Sequence, residues 1–480
     1  MTCREIALSR QRLSSFPSAP LLSIVRLALR RFSLGLLIPL LTLCAVMAAS
    51  AATPDAFPGA EGFGRSAQGG RGGRIVEVTN LLDKGRGSLR ACVLERGPRT
   101  CVFRVAGLIV LEHTLLIDGP AAGQISILGQ TAPGEGITLT VTPMADTYFR
   151  TVLAVRNTQD VVLRHLRLRA QSAPDVPNVD ALTVEASRRV YADHLSGAWA
   201  SDENVSTYAQ VTDLTIAYSI WGEGLRVHSK CALLASHPTG PQSISFWRNL
   251  CISNNDRNPD ANHFAGSCIE IVDNLFYNAR SEWAEVFSQK PGGTPISYVG
   301  NTFKAGPSTN ERTTAILWQK IDSAAPPRVY ARNNAVWAPR PKSITLIDPE
   351  VAPFLAFAPQ CPLNVSSFDD PGMAYRDVLA RAGAFPRDPT DARFVREVGE
   401  PGRAGHGKLR MEPGSIDPIA AATPYADEDH DAMPDAIEER FGATPGVYDP
   451  WTGVDVNGWS NLDRTLQWLA EERQADRYPQ

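Results

Sequence analysis

The chain has 480 residues and a formal net charge of -4, with 43% hydrophobic and 20% charged residues. These values are close to the average for globular proteins and leave room for one large domain or several ordinary ones. The weakly negative charge gives no basis for binding nucleic acid, and an acidic partner would have to be met by a local cluster of Arg, Lys or metal.

Residues 1–51 are predicted to be a secretory signal peptide. Three arginines precede an apolar run over residues 32–49, which ends in the small residues Ala49-Ser50-Ala51. The alternative is a membrane anchor, but Gly35 and Pro39 interrupt a run that is barely long enough to span a bilayer. We therefore expect a secreted protein, extracellular or periplasmic, with no stable membrane association after cleavage.

Six cysteines follow this segment, and in an oxidising compartment they are expected to form disulfides. Cys92 and Cys101 flank a turn-prone insert and are the pair that we predict, while the remaining pairings stay open. None of the six has the CxxC spacing of a zinc site. They are Cys92, Cys101, Cys231, Cys251, Cys268 and Cys361.

Between about residues 100 and 340, short β-branched or apolar runs alternate with Gly, Asn, Asp and Pro, which predicts strands. In the later part an asparagine follows successive strands, at Asn249, Asn274, Asn301 and Asn334. Intervals of 25 to 33 residues are typical of one coil of a β-solenoid. We expect these asparagines to hydrogen-bond the backbone of neighbouring coils, and a β-sandwich is the alternative fold.

The repeat fades after residue 345. Residues 346–425 are Pro-rich and charged and are predicted to be a C-terminal extension and linker with little core. Residues 426–480 are predicted to be an EF-hand-like, acidic calcium-binding segment. Its first loop has carboxylates at positions 1, 3, 5, 9 and 12, the spacing with which an EF-hand wraps Ca²⁺. These are Asp427, Asp429, Asp431, Asp435 and Glu438.

That loop departs from the EF-hand pattern at Ala432, which stands where a glycine normally makes the sharp turn. A second copy begins at Asp455 and lacks the terminal carboxylate, because Arg464 stands there. The alternative interpretation of the whole segment is a solvated acidic stretch.

Glycine-rich segments open the mature chain at residues 56–64 and 69–74. Further motifs follow in order, among them Ile127-Leu128-Gly129-Gln130-Thr131, Ala192-Asp193-His194 and Asp256-Arg257-Asn258-Pro259. Together they resemble the bacterial pectate lyases of polysaccharide lyase family 1. The resemblance implies an all-β, right-handed single-stranded parallel β-helix, which we expect over residues 52–345. It also implies Ca²⁺-dependent β-elimination of α-1,4-linked polygalacturonate to unsaturated oligogalacturonides.

The resemblance implies a metal site. Asp180 and Asp202 match the family's calcium ligands, and Glu203 is a further candidate. Ser206 stands where the family often has another carboxylate, a place for which Glu203 or Asp175 could compensate. Calcium there would neutralise the C6 carboxylate of the substrate and so make the C5 proton more acidic. Taken alone, each of these carboxylates is more typical of a surface turn, and it is their order among the matched motifs that favours the metal site.

The resemblance also implies a catalytic residue and a substrate contact. Arg257 matches the family's proposed proton-abstracting arginine, although a free guanidinium is a poor base. Lys230 matches a substrate-binding lysine, and an exposed lysine after a turn is its alternative. Asp260 and Asn262 stand where the family usually has further arginines that grip substrate carboxylates.

Two other functions compete with elimination. A polygalacturonase would use carboxylic acids beside a Gly-His-Gly turn, and this chain has Gly405-His406-Gly407 after the repeats. A non-catalytic β-solenoid that binds cell-wall polysaccharide would explain the missing arginines. We expect a monomer whose partner is an acidic polysaccharide such as polygalacturonate or pectin.

Overall fold

The computed structural model describes residues 53–141, 151–171, 178–226, 228–402 and 407–478. The predicted signal peptide lies outside these ranges. Within them we find no helix that combines the length and the apolar character needed to span a bilayer.

The described residues form short strands that wind repeatedly through three parallel sheets. In chain order the strands are β1 (Arg74–Val78), β2 (Arg99–Phe103), β3 (Gly107–Leu111), β4 (Leu115–Asp118), β5 (Ile125–Leu128), β6 (Ile137–Val141), β7 (Thr151–Arg156), β8 (Gln159–Arg164), β9 (Arg167–Arg169), β10 (Asp180–Glu185), β11 (Arg188–Asp193), β12 (Ser196–Ala198), β13 (Glu203–Tyr208), β14 (Thr212–Ala217), β15 (Ile220–Gly222), β16 (Lys230–Ser236), β17 (Ser243–Trp247), β18 (Leu250–Ile252), β19 (Asp260–Ala261), β20 (Cys268–Val272), β21 (Leu275–Tyr277), β22 (Glu282–Phe287), β23 (Pro295–Val299), β24 (Thr302–Lys304), β25 (Arg312–Gln319), β26 (Arg328–Arg332), β27 (Ala335–Trp337) and β28 (Ser343–Ile347).

Sheet A contains β1, β2, β5, β8, β11, β14, β17, β20, β23 and β26 in that order. Sheet B contains β3, β6, β9, β12, β15, β18, β21, β24 and β27, and sheet C contains β4, β7, β10, β13, β16, β19, β22, β25 and β28. From β2 onward each coil therefore contributes one strand to each sheet, and the fold is the predicted right-handed single-stranded parallel β-helix. The helices are α1 (Leu89–Leu94), α2 (Pro371–Arg381), α3 (Pro389–Gly399), α4 (Glu438–Phe441) and α5 (Asn461–Gln474).

Stacks of aliphatic side chains fill the inside of the coil. Equivalent inward positions of sheet A pair in register from coil to coil, and each is nearly or fully buried. One coil cannot bury these side chains alone, so stacking on its neighbours supplies the hydrophobic core. One such stack consists of Ile125, Val161, Val190, Leu214, Ile244 and Ile269.

The predicted asparagine ladder is confirmed. The backbone N–H of Asn249 donates to Asn274 Oδ1 at 2.8 Å, that of Asn274 to Asn301 Oδ1 at 2.9 Å, and that of Asn301 to Asn334 Oδ1 at 3.0 Å. Each step also has a side-chain bond, as from Asn249 Nδ2 to Asn274 Oδ1 at 3.1 Å. The ladder satisfies buried polar groups at the turn from sheet A to sheet B.

Residues 346–425 differ from the expected linker with little core. Asp370 and Asp388 cap α2 and α3 by accepting bonds from the backbone N–H groups of Gly372 and Asp391. Val378, Phe394 and Val398 are fully buried in a cluster on sheet B. Its sheet members are Ile220, Leu250 and Leu275. The extension therefore forms a helical layer over sheet B, and the proposed division of the chain into domains stays a prediction.

The C-terminal part packs on sheet A in a similar way. Leu462 and Leu466 of α5 belong to one buried cluster with Val102, Leu128 and Val162 of sheet A.

Three disulfides are present among the described residues. The predicted pair Cys92–Cys101 is confirmed, and the others are Cys231–Cys251 and Cys268–Cys361. The last closes a loop of 93 residues and ties the C-terminal extension to β20, which restricts the unfolded chain.

Candidate active site

The predicted site residues lie at the beginnings of neighbouring strands of sheet C. Asp180 begins β10, Glu203 begins β13 and Lys230 begins β16, and Glu203 pairs with Lys230 in register. Arg257 lies just before β19. Because parallel strands in register place equivalent residues at one edge of a sheet, positions far apart in sequence meet here.

Three of the predicted calcium ligands form a cluster. Carboxylate oxygens of Asp180, Asp202 and Glu203 lie within 4.8 Å of one another. All three line a groove on sheet C of about 460 Å³, together with Ser206 and Thr183. Carboxylate oxygens are hard donors of the kind that calcium prefers, so this donor set fits the predicted metal.

Asp180 is held by two hydroxyl groups. Its Oδ2 accepts hydrogen bonds from Ser206 Oγ at 2.5 Å and from Thr183 Oγ1 at 2.8 Å. Burial, followed by the charges of Glu203 and Asp202, raises the pKa of Asp180 well above its usual value. Ser206 therefore orients Asp180 instead of adding a carboxylate of its own. Asp175 lies outside the described residues.

Glu203 contacts both cations of the site. It is 4% exposed, and its Oε1 lies 2.5 Å from Arg257 Nη1 and 3.5 Å from Lys230 Nζ. Burial and the neighbouring Asp202 raise the pKa of Glu203 to about 7, against the opposing effect of the two cations. The residue expected from sequence as a metal ligand is thus also the anion that joins Lys230 to Arg257.

Lys230 is largely buried, which differs from the exposed-lysine alternative. Its Nζ lies 3.1 Å from Asp202 Oδ1 and 3.1 Å from His228 Nδ1. The ammonium group therefore partly neutralises the carboxylate cluster.

Arg257 is fixed by carboxylates on two sides. Besides the contact with Glu203, its Nε lies 3.2 Å from Asp260 Oδ2, and its backbone N–H donates to Glu285 Oε2 at 2.8 Å. Burial lowers the pKa of Arg257, but the charges of Asp260 and Glu203 outweigh it and the net shift is upward. Arg257 is therefore a cation in this arrangement.

Asp260 and Asn262 do not substitute for the family's additional arginines. Asp260 is buried against Arg257, whereas Asn262 Nδ2 donates to Gln289 Oε1 at 2.8 Å. Sequence reasoning missed the supporting roles of Asp260 and Glu285. The spacing of three residues between Arg257 and Asp260 could have indicated the role of Asp260. Glu285 comes from the next coil, and nothing in the sequence pointed to its contact with Arg257.

The C-terminal carboxylates form a second cluster. Oxygens of Asp427, Asp429 and Asp431 lie within 4.8 Å of one another. Glu438 is fully buried, and burial is the main reason why the pKa of Glu438 and that of Asp431 are each raised to about 7. Asp435 Oδ1 instead accepts a hydrogen bond from the backbone N–H of Glu428 at 2.9 Å.

The turn at Ala432 and the second loop also have defined conformations. Ala432 adopts φ 72°, the left-handed conformation for which EF-hand loops use glycine. In the second loop Asp455 Oδ1 accepts from the backbone N–H groups of Asn457 and Trp459. Arg464 donates to the backbone oxygens of Phe441 and Gly453, so it braces that loop.

His194 is a packed member of the coil. It is 3% exposed and stacks between His165, with ring centres 4.8 Å apart, and Tyr218, at 5.0 Å. This stack lies at the turn between sheets A and B, away from the groove on sheet C.

Comparison with known proteins gives the family. No family model matches the chain. A probable pectate lyase C of Aspergillus fumigatus is 30% identical over 425 residues, which cover 86% of this chain and 93% of that protein. A probable pectate lyase C of Emericella nidulans is 30% identical over 447 residues, covering 90% and 98%. Both relatives are fungal, so the bacterial part of the resemblance is not supported.

The solved structure of a pectate lyase bound to a hexasaccharide has the same fold. It superposes with a TM-score of 0.50 at 12% sequence identity, covering 70% of this chain and 99% of that one. At this identity the superposition bears on the fold alone, whereas the fungal relatives match over nearly their whole length. The chain belongs to the pectate lyase family and is a polysaccharide lyase.

Proposed function

We propose that the protein cleaves polygalacturonate by calcium-dependent β-elimination in the groove on sheet C, releasing unsaturated oligogalacturonides. The observation that carries this proposal is the meeting of an acidic cluster, Asp180, Asp202 and Glu203, with the cations Lys230 and Arg257 at one edge of the sheet. A polyuronate substrate needs both metal-binding anions and positively charged contacts.

Asp180, Asp202 and Glu203 are the residues that would hold Ca²⁺. Bound there, the ion would neutralise the C6 carboxylate of a galacturonate and so increase the acidity of its C5 proton. Asp180 is supported for this role by its two hydroxyl partners, which fix one oxygen and orient the other.

Arg257 is the proposed catalytic residue. Among the described residues, its side-chain partners are Glu203 at Nη1 and Asp260 at Nε, which leaves Nη2 for a substrate oxygen. A guanidinium held as a cation stabilises the negative charge that develops as the C5 proton leaves, by hydrogen bonding to the enediolate. To accept the proton itself, Arg257 would have to lose its contact with Glu203, because that carboxylate favours the charged form.

Lys230 is proposed to contact the substrate from the neighbouring coil. Its ammonium group lies between Asp202 and His228, and an acidic sugar entering the groove would compete with Asp202 for it. In this exchange the substrate carboxylate replaces Asp202 as the partner of the Lys230 ammonium, so that the buried ammonium is never left unpaired.

Secretion is part of the proposal. Three disulfides among the described residues are typical of proteins that fold in an oxidising compartment. A single chain is sufficient for the site, since the three carboxylates and the two cations come from one solenoid, and the proposed working form is a monomer.

The experiment follows the ultraviolet absorbance of the C4–C5 double bond on polygalacturonate, with calcium chloride and with a chelator. We expect absorbance to rise only with calcium. Reducing ends without absorbance would mean hydrolysis, as in a polygalacturonase, and binding without either product would mean a non-catalytic polysaccharide-binding solenoid.

Arg257→Ala tests the catalytic role. We expect elimination to fall by roughly 100-fold or more while the fold is retained, as for loss of a transition-state hydrogen bond. The matched control is Arg188→Ala, which removes an exposed arginine of sheet A. Wild-type turnover in Arg257→Ala would remove this residue from the mechanism.

A further inference from the structure

The loop that begins at Asp427 carries an aspartate at every second position. The backbone N–H of Asp431 donates to Asp427 Oδ1 at 3.1 Å and to Asp429 Oδ1 at 3.2 Å, and that of Met433 donates to Asp431 Oδ1 at 2.9 Å. Asp429 and Asp431 each use one oxygen to shape the loop, whereas Asp427 uses both, because its Oδ2 accepts from the backbone N–H of Ala432 at 3.1 Å. Within the described part of the chain, Oδ2 of Asp429 and Oδ2 of Asp431 are buried without a hydrogen-bond partner.

An independent observation comes from Glu438, which begins α4. This side chain is 0% exposed, and neither of its carboxylate oxygens has a hydrogen-bond partner among the described residues. It interacts most strongly with the charges of Asp431 and Asp429, so it faces the loop. A buried carboxylate without donors is strongly unfavourable unless a cation lies against it.

Asp449 approaches the same place from the loop between α4 and α5. Its Oδ1 is buried and has no hydrogen-bond partner in the described ranges. It interacts electrostatically with Asp429, and its backbone N–H acts on the Asp431 carboxylate. No EF-hand spacing points to Asp449, because it lies beyond the twelve-residue loop.

Among the described residues, the cations in contact with this cluster do not balance its negative charge. Arg104 Nη1 lies 3.3 Å from Asp427 Oδ2, but the same guanidinium also lies 3.4 Å from Glu77 Oε1. Calcium binds roughly six to eight oxygens, often from carboxylates that bind through one or both oxygens. Carboxylates from three consecutive parts of the segment can supply such a set.

The cluster is also attached to the solenoid. Ala432 and Met433 are fully buried in the hydrophobic cluster that joins sheet A to α5. The Arg104 guanidinium lies over the Tyr425 ring at 4.7 Å, and His430 Nδ1 lies 3.1 Å from Glu77 Oε1. The shape of the loop therefore determines how the C-terminal segment lies on sheet A.

We propose that the C-terminal segment holds a structural calcium ion that fastens it to sheet A. Asp449 completes the ligand set, and Asp435 shapes the loop through its bond to Glu428. The ion is separate from catalysis, because the groove residues lie on sheet C and these carboxylates lie beside sheet A. The ligands are Asp427, Asp429, Asp431, Glu438 and Asp449.

The test measures hydrogen–deuterium exchange of residues 426–478 and thermal unfolding in the full chain, with calcium chloride and with a chelator. We expect calcium to slow exchange in this segment and to raise the unfolding temperature. Both effects should persist in Asp180→Asn, which alters only the groove. This variant separates the inference from the proposed function, because exchange in the C-terminal segment can be measured in it whether or not the groove is active.

Glu438→Gln and Asp449→Asn are the decisive variants. Each preserves side-chain volume and removes a buried charge, so the chain should fold in chelator at least as well as wild type. We expect the calcium concentration that protects the segment to rise by more than about tenfold. Glu439→Gln, an exposed neighbour on α4, should behave as wild type. Protection at the wild-type calcium concentration in Glu438→Gln and Asp449→Asn would overturn the proposal.

Discussion

Oε1 of Glu203 lies 2.5 Å from Nη1 of Arg257, which follows it by 54 positions in the chain. The pair joins β13 to the segment before β19, two coils further along the solenoid. The residue that would hold calcium and the residue that would stabilise the reacting sugar are therefore in direct contact. A substitution at Glu203 is therefore expected to alter the function of Arg257, and the reverse.

Glu203→Gln tests this coupling. The amide keeps the size of the side chain but removes the anion that fixes Arg257 and Lys230, so we expect kcat at saturating calcium to fall by roughly 10-fold or more. The unfolding temperature should stay the same or rise, because a buried carboxylate with a raised pKa is lost. The exposed Glu112→Gln is the control. An unchanged kcat would show that the ion pair has no part in turnover.

Ser206→Asp tests the consequence of the missing carboxylate. An aspartate there would lie beside Asp180, which Ser206 Oγ now contacts at 2.5 Å. We expect the variant to unfold at a lower temperature in chelator, because like charges repel, and to reach half-maximal activity at roughly tenfold less calcium. Ser206→Asn removes the hydroxyl without adding charge and should need no less calcium than wild type. A calcium requirement unchanged in Ser206→Asp would contradict the expectation.

The asparagine ladder should stabilise the coil most in its interior. Asn274→Ala removes the acceptor of two hydrogen bonds from Asn249 in a fully buried place, and we expect a loss of about 2–4 kcal/mol in the free energy of unfolding. Asn334→Ala removes the same kind of acceptor at a half-buried position and should cost less, because water can replace it. Denaturant titration measures the loss of stability in both variants. Equal losses would mean that burial does not determine how much each hydrogen-bonded step of the ladder stabilises the fold.

The pH dependence of stability should contain a contribution from Glu270. Burial raises its pKa from 4.5 to about 7, although Ser245 and the backbone N–H of Asn364 donate hydrogen bonds to it. The folded state thus favours the protonated form. The stability that protonated Glu270 contributes to the folded state is fully present below pH 4.5 and is lost as pH rises to about 7.

We therefore expect Glu270→Gln to unfold like wild type near pH 4.5 and to be more stable at about pH 8, by about 3 kcal/mol. Denaturant titrations at both values, in chelator, measure the difference, and other titrating groups cancel between the two proteins. The exposed Glu311→Gln should show no such change. A difference that does not depend on pH would show that Glu270 is ionised throughout.

The sequence alone determined the repeat and its core. The asparagines at 249, 274, 301 and 334 could be identified because each coil must bury the same polar position, so one residue type recurs at the length of a coil. Asp180, Asp202 and Arg257 could be identified through the family resemblance, which also supplied their expected roles.

Only the tertiary structure decided which charges meet. Glu203 reaches Arg257, and the charge of Asp449 acts on Asp429, although no local pattern in the sequence relates the members of either pair. The helical layer of α2 and α3 was likewise missed, because short helices with few apolar residues are stabilised by packing on sheet B and carry little signal of their own. The backbone repeat follows from spacing that is visible in the local sequence. The ion pairs join residues on different coils, so they depend on how the coils stack and on how long the loops between them are.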